Sequence, residues 1–317
     1  MEKKRITVIG HYGMSLLMDV ERFPAVGETV EGLGLVTEPG GKGYNQAIAA
    51  SRLGAEVNFI TAVGNDEFGS LCEKDLISEN VRGRYIIPFE GQRTACAFVI
   101  NSADKNSEVY VYPGAIRRVT GAHIRKYAAV IAQSGLLLLQ NEITTDALME
   151  AIGIARQAKV EIIYNPAPAR ELPAEAFPYI TCITPNETEA AILTGADPDA
   201  PLDVEQALEK LHGMGAKNVI ITLGGNGSAV SLENGRIHRV GSLKVDVVST
   251  TGAGDSYNAA FAVRYMETRD ILESAKYAAV ASGLQVMRPG VIANMPYKQE
   301  TDEWFSRYQD ELSGKGA

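Results

Sequence analysis

The sequence predicts an α/β fold: a mostly parallel central sheet with helices on both faces plus a small β lid. Three observations carry that reading. Short apolar runs such as Ile6–Ile9, Val57–Val63 and Val160–Tyr164 alternate with longer segments of helical periodicity. Glycine-rich turns precede helices at Gly40–Gly43 and at Gly252–Gly254, the latter where a strand gives way to a helix. One stretch, Arg84–Tyr112, has β-prone runs and no helical pattern. At 317 residues, 45% hydrophobic and 22% charged, the chain is long enough for one large domain spanning 1–317.

Taken in order, Ile6–Ile9 reads as a first buried strand ending at Gly10. Phe23–Val30 carries turn residues into an extended segment, and Asn45–Leu53 is a helix closed by Gly54. Val57–Val63 is the next strand, and Asp66 opens a helix towards Asn80. Tyr85–Ile87, Thr94–Ile100 and Val109–Tyr112 form a meander; with the segment near Val30 it predicts a lid built from about 12–40 and 84–114. The βα alternation then resumes with helix at His123–Gln133, strand at Gly135–Leu139, helix at Thr145–Gln157 and strand at Val160–Tyr164. Strand at Ile180–Thr184, helices at Glu187–Leu193 and Val204–His212, and strand at Val219–Leu223 follow. Ser228–Leu232 and Arg236–Val240 pair around Asn234-Gly235, a hairpin turn. Val245–Ser249 reads as a buried strand before the glycine turn; helices after Asp255, at Ile271–Val286 and near Thr301–Leu312 complete the chain.

Composition narrows the function. A net charge of −9 argues against nucleic acid or anionic membrane as a partner, so any phosphate site has to be built locally. Cys72, Cys96 and Cys182 are widely spaced, which predicts a reducing, cytoplasmic setting. No run approaches transmembrane length, and the first apolar run is too short for a signal peptide. The four histidines lack zinc-ligand spacing, no GxSxG occurs, and Gly252-Ala-Gly254 fails the dinucleotide fingerprint because position six is Tyr257.

The chemistry centres on Thr250-Thr-Gly-Ala-Gly-Asp255. A loop opening a helix collects unpaired N–H groups and the positive end of a dipole, a seat for an anion. Asp255 reads either as an ordinary first-turn carboxylate or as a general base beside a phosphate. Asn186 and Glu189 form a capping-box pair, and the same oxygens suit Mg²⁺ held through water. Gly40-Gly-Lys42-Gly precedes a helix without being a Walker A loop. Thr222-Leu-Gly-Gly-Asn-Gly227 is a tight strand connection or a nucleotide loop, and Glu142 is a carboxylate at a strand's end.

Together Gly40-Gly-Lys-Gly-Tyr-Asn45, Asn165-Pro-Ala-Pro-Ala-Arg-Glu-Leu172, Thr184-Pro-Asn-Glu-Thr-Glu189, Ile221-Thr-Leu-Gly224 and Thr250–Asp255 resemble the ribokinase-like (PfkB) family of sugar and nucleoside kinases. The resemblance runs from about Ile6 to Pro296 with the motifs in family order. It implies ATP- and Mg²⁺-dependent transfer of the γ-phosphoryl group to a sugar's primary hydroxyl, ribose or a related pentose first. The alternatives are another furanose, a hexose or a nucleoside as acceptor, or a non-catalytic sensor of sugar or nucleotide. Asp255 would be the base, with Gly252, Ala253 and Gly254 as the anion hole that Thr251 opens. Gly13, Ser15, Gly41, Lys42, Asn45 and Glu142 would hold the sugar. Asn186, Thr222, Gly224, Gly225 and Gly227 would line the nucleotide, with Ala278, Ala281 and Ser282 beside the adenine. Asn186 and Glu189 would organise Mg²⁺, and the lid would also make a homodimer interface.

Two positions depart from the family pattern. Gly13-Met-Ser15 stands where Asn-x-Asp is usual, so one neutral hydroxyl replaces a carboxylate, with His11 or Tyr12 as further sugar contacts. Ser249 replaces the Asp common in K⁺-activated members, which predicts weak or absent K⁺ activation.

Overall fold

The computed structural model describes residues 5–104 and 106–312. Its first half runs β1 (Arg5–Ile9), β2 (Gly13–Val20), β3 (Gly32–Gly40), α1 (Lys42–Arg52), β4 (Glu56–Gly64), α2 (Glu67–Ser78), β5 (Gly83–Phe89), β6 (Ala95–Ser102) and β7 (Ser107–Tyr112). The next elements are α3 (Gly121–Arg125), α4 (Ala128–Ala132), β8 (Leu136–Gln140), α5 (Thr145–Ala158), β9 (Glu161–Asn165), β10 (Cys182–Ile183), α6 (Glu187–Thr194) and α7 (Val204–Gly213). The last are β11 (Val219–Thr222), β12 (Ser228–Ser231), β13 (Ile237–Val240), α8 (Ala253–Thr268), α9 (Ile271–Val286) and α10 (Lys298–Tyr308).

Nine strands form the main sheet in the order β13-β12-β11-β10-β9-β8-β1-β4-β5. Every pairing from β11 to β5 is parallel, and β12 and β13 add an antiparallel edge. The continuous apolar runs of β1 and β8 follow from burial on both faces. Ile6, Val8, Leu136 and Leu138 enter one core layer with α1, α8 and α9, while Ile9, Leu137 and Leu139 enter the other with α5 and α7. A second sheet, order β3-β2-β6-β7, stands apart from the first.

Three sequence expectations are corrected. Gly83–Phe89 does not join the small sheet: it pairs in parallel with β4 after the α2 crossover, so residues 84–89 belong to the main sheet. The small sheet does include Gly13–Val20, within the 12–40 stretch expected of the lid. Val245–Ser249 is irregular and open, with Val247 and Val248 about three-fifths exposed. Its Val248 and Ser249 N–H groups hang on the carbonyl of Val286, at the end of α9, rather than on a strand. His123–Gln133 also divides into two short helices.

Backbone approach positions the site. A Cβ on Gly43 would lie 2.5 Å from the Cα of Gly10, so the start of α1 rests directly on the exit of β1. The N–H of Tyr44 donates to the carbonyl of His11 at 2.9 Å, fixing that contact.

Candidate active site

The polar side chains converge at the carboxyl ends of the parallel strands, the usual ligand edge of such sheets. The exit of β1 supplies His11, that of β8 supplies Gln140 and Glu142, that of β9 supplies Asn165, and those of β10 and β11 lead to Asn186 and Thr222. Above them lie the first turns of α1 and α8. Gly252 caps α8 at φ 80°, a left-handed conformation that glycine adopts without strain. Ala253 N–H bonds Thr250 O and Ser256 N–H bonds Gly252 O, whereas the N–H groups of Gly254 and Asp255 meet no acceptor among the described residues. Gln285 braces the loop from below: its Nε2 donates to Thr251 O at 3.2 Å and to Val291 O at 3.1 Å.

Asp255 is buried, at 6% exposure. Its Oδ2 accepts from Asn45 Nδ2 at 2.8 Å and its Oδ1 from Gln46 Nε2 at 3.0 Å. The network continues inward. Gln46 Nε2 also donates to Asn165 Oδ1 (3.1 Å), Gln140 Nε2 donates to Gln46 Oε1 (2.6 Å), and Asn165 Nδ2 donates to Thr184 O (3.2 Å). Thr184 Oγ1 donates to Asn258 Oδ1 at 2.5 Å, and Asn258 Nδ2 returns to Gly254 O at 2.8 Å. The carboxylate and the glycine turn are thus joined by one chain of buried amides. Burial raises the carboxyl pKa of Asp255 above its ordinary value, outweighing the attraction of Lys42 and the two amide donors.

Lys42 is the cation at the centre. The Asp255 carboxylate raises its pKa against the cost of burial, with Glu142 and Glu189 adding to the effect. Burial pushes Glu142 up, but His11, Lys42 and the Gly43 N–H together hold it below the usual range. Gly43 N donates to Glu142 Oε2 at 3.3 Å, and His11 Nδ1 lies 3.4 Å from Glu142 Oε1. One ammonium is therefore set against three carboxyl groups, an excess of acid that suits a cation.

The structure places the other sequence candidates unevenly. Asn186 and Glu189 form the full capping box of α6: Glu189 N donates to Asn186 Oδ1 (2.8 Å) and Asn186 N to Glu189 Oε2 (2.9 Å). Burial raises the Glu189 pKa. Asn186 bridges Thr222, so the α6 cap adjoins the 222–227 loop. In that loop Gly224 and Gly227 have φ of 52° and 83°, and Ser242 Oγ and Lys244 Nζ both donate to Gly225 O. Ala278 and Ala281 do not reach the open face; both are fully buried because they pack α9 into the core, and Ser282 is half-buried. Gly41, at φ 107°, packs its backbone against the His11 ring.

Gly13 offers only backbone, since a Cβ there would lie 2.6 Å from Ala95 O in the neighbouring strand. Ser15 Oγ lies over Gly40. Tyr12 is corrected as a sugar contact: its ring is in the core and its hydroxyl donates to Asp75 Oδ2 at 2.6 Å. Sequence reasoning missed Gln46, Gln140 and Asn258. Their signal was an uncharged amide at a position that the apolar pattern assigns to the core.

With this geometry in view, a family model described as "pfkB family carbohydrate kinase" matches residues 3–298. A ribokinase of Bacillus subtilis is 35% identical over 303 residues, covering 96% of this chain and 100% of its own. A ribokinase of Haemophilus influenzae is 33% identical over the same length, covering 96% and 99%. The structure of Arabidopsis thaliana ribokinase complexed with ribose and ATP superposes with a TM-score of 0.88 at 28% identity, covering 96% and 98%.

Proposed function

Since the chain belongs to the pfkB family of carbohydrate kinases, we propose that it transfers the γ-phosphoryl group of ATP to the primary hydroxyl of a sugar, with ribose or a related pentose as the first acceptor. The observation that carries the reading is Asp255, a buried carboxylate held by two amides, beside Lys42 and at the foot of two unpaired N–H groups.

In the reaction the sugar hydroxyl oxygen attacks the γ-phosphorus and its proton passes to Asp255. The bond from that phosphorus to the bridging oxygen breaks, and ADP leaves with the electron pair. The Gly254 and Asp255 N–H groups receive the equatorial oxygens of the transferring group, where the α8 dipole adds to the attraction. Lys42 neutralises charge between donor and acceptor. Glu189 and Asn186 offer hard oxygens that fit Mg²⁺ held through water, since the capping box uses only one oxygen of Glu189. Mg²⁺ there would supply positive charge to the phosphates. The 222–227 loop and the Ser282 face of α9 would hold the nucleotide.

The small sheet serves as the lid of a single domain, closing over the sugar and excluding water that would otherwise take the phosphoryl group. Its Leu33, Leu35, Val36, Val109, Tyr110 and Val111 are all more than half exposed, which favours a homodimer formed through that sheet. Among the described residues no helix is long and apolar enough to cross a membrane.

The test is a coupled assay of ADP release over a panel of pentoses, hexoses and nucleosides with Mg-ATP. Sugar-dependent turnover is expected. Tight sugar binding with no ADP release over the whole panel would replace the kinase by a sensor.

A further inference from the structure

Three buried polar atoms of the residues placed at this site have no partner: His11 Nε2, Asn45 Oδ1 and Gln140 Oε1, the last of which lies against the backbone of Gly10. The His11 side chain is 8% exposed, and three contacts fix it. Its Nδ1 faces Glu142 Oε1 at 3.4 Å, its carbonyl accepts from Tyr44 N at 2.9 Å, and its ring abuts the backbone of Gly41. A ring nitrogen turned to a carboxylate carries the proton, so in the neutral ring Nε2 is a bare acceptor. Asn45 spends its NH₂ on Asp255, so its free atom is also an acceptor. His11 faces Glu142 and Asn45 holds Asp255, the two carboxylates that act with Glu189 on Lys42.

Buried acceptors without donors are costly, and a ligand that enters between them is selected by what it donates. Resting on the kinase reading, we propose that His11 is a specificity-determining residue whose Nε2 accepts a hydrogen bond from one hydroxyl of the acceptor sugar. The need for it is local. Gly13 has no space for a side chain, and Ser15 Oγ is drawn over Gly40, so the strand that follows β1 contributes little recognition of its own. His11 takes over that recognition from the side of Glu142.

The experiment uses the full chain with His11→Phe, which keeps a ring but no nitrogen, and His11→Gln, which keeps an acceptor. Calorimetric binding and ADP release are measured with ribose and its monodeoxy analogues. In His11→Phe the affinity for the preferred sugar should fall about tenfold to a hundredfold, carried by KM with kcat within a few-fold. His11→Gln should recover part of the loss. One deoxy analogue, lacking the hydroxyl that meets Nε2, should bind both variants and the unsubstituted chain alike. Equal losses with every analogue, or no loss with any, overturn the proposal. Unchanged ADP binding in each variant shows that the fold is kept. If His11→Phe does not fold, a uniform response of the unsubstituted chain and His11→Gln to all deoxy analogues overturns the proposal equally. His11-dependent binding without turnover sinks the kinase reading and leaves this one standing; turnover with equal losses for every analogue does the reverse.

Discussion

Replacing Asp255 by Asn removes the proposed proton acceptor while keeping the size of the side chain. The surrounding amides decide whether the fold tolerates the change. Gln46 cannot turn to meet a new NH₂ group, because its Oε1 already accepts from Gln140 and its Nε2 also serves Asn165. Asn45 can turn, because its Oδ1 has no partner. The new oxygen therefore takes the Gln46 bond, and a flipped Asn45 accepts from the new NH₂. The cost to stability should stay within about 1 kcal/mol, one exchanged hydrogen bond. Turnover should suffer far more. Loss of a positioned base lowers kcat by about a hundredfold to ten-thousandfold, or roughly 2.7 to 5.5 kcal/mol in the barrier. Since Asn45 now points its NH₂ away from residue 255, sugar KM should shift as well, while ATP KM stays within a few-fold. Steady-state ADP release with both substrates varied separates these effects. A variant turning over within tenfold of the unsubstituted chain would refute the assignment of the base.

Three further outcomes follow from the same site and its supports. Burial raises the Asp255 pKa, and a base works only when ionised; kcat/KM should therefore fall as pH drops through a value above the ordinary carboxylate range, and a profile flat down to about pH 4 would contradict this. Arg52 is 7% exposed, with its fork on Glu79 at 2.7 and 2.8 Å and a further N–H on Met295 O. Arg52→Met strands Glu79 and should cost about 3 to 5 kcal/mol in denaturant unfolding; a loss under 1 kcal/mol would show the pair to be dispensable. Ser249 brings no carboxylate to the loop before Thr251, and its hydroxyl already accepts from Thr251 N at 3.3 Å, so rates in Na⁺, K⁺ and Cs⁺ at fixed ionic strength should agree; a large rise specific to K⁺ would count against it.

What the sequence made legible depended on whether local chemistry and tertiary position coincide. They coincide at Gly252-Ala-Gly-Asp255, where glycine conformation, helix start and carboxylate fall within four residues, and at Asn186–Glu189, where the capping box forms as its spacing implies. They part at Val245–Ser249. Three valines in five residues read as a buried strand, yet the segment joins neither sheet, and two of the three are left about three-fifths exposed. Gly83–Phe89 fails for the opposite reason. Its half-buried alternation suits either sheet, and only the α2 crossover, a long-range feature, assigns it to the parallel one. Gln46 was hidden because a polar residue inside an apolar helix face looks like an interruption until its partners on β8 and β9 are known.

The same distinction explains how recognition is divided at the site. Where backbones touch, as at Gly10 with Gly43 and Gly13 with Ala95, side chains are excluded and the architecture is fixed by glycine. The first contact seats α1 on the exit of β1, and the second pairs β2 with β6 inside the small sheet. On the proposal above, substrate choice would come from polar atoms left unpaired at the site, His11 Nε2 first among them. In the proposed mechanism transfer chemistry rests instead on Asp255 and the turn before it, which is bound to the core through Asn258 and Gln285. Acceptor specificity and phosphoryl transfer should therefore be separable by mutation in this chain. Substitution at His11 should re-rank sugars at nearly constant kcat, and substitution at Asp255 should lower kcat for all of them.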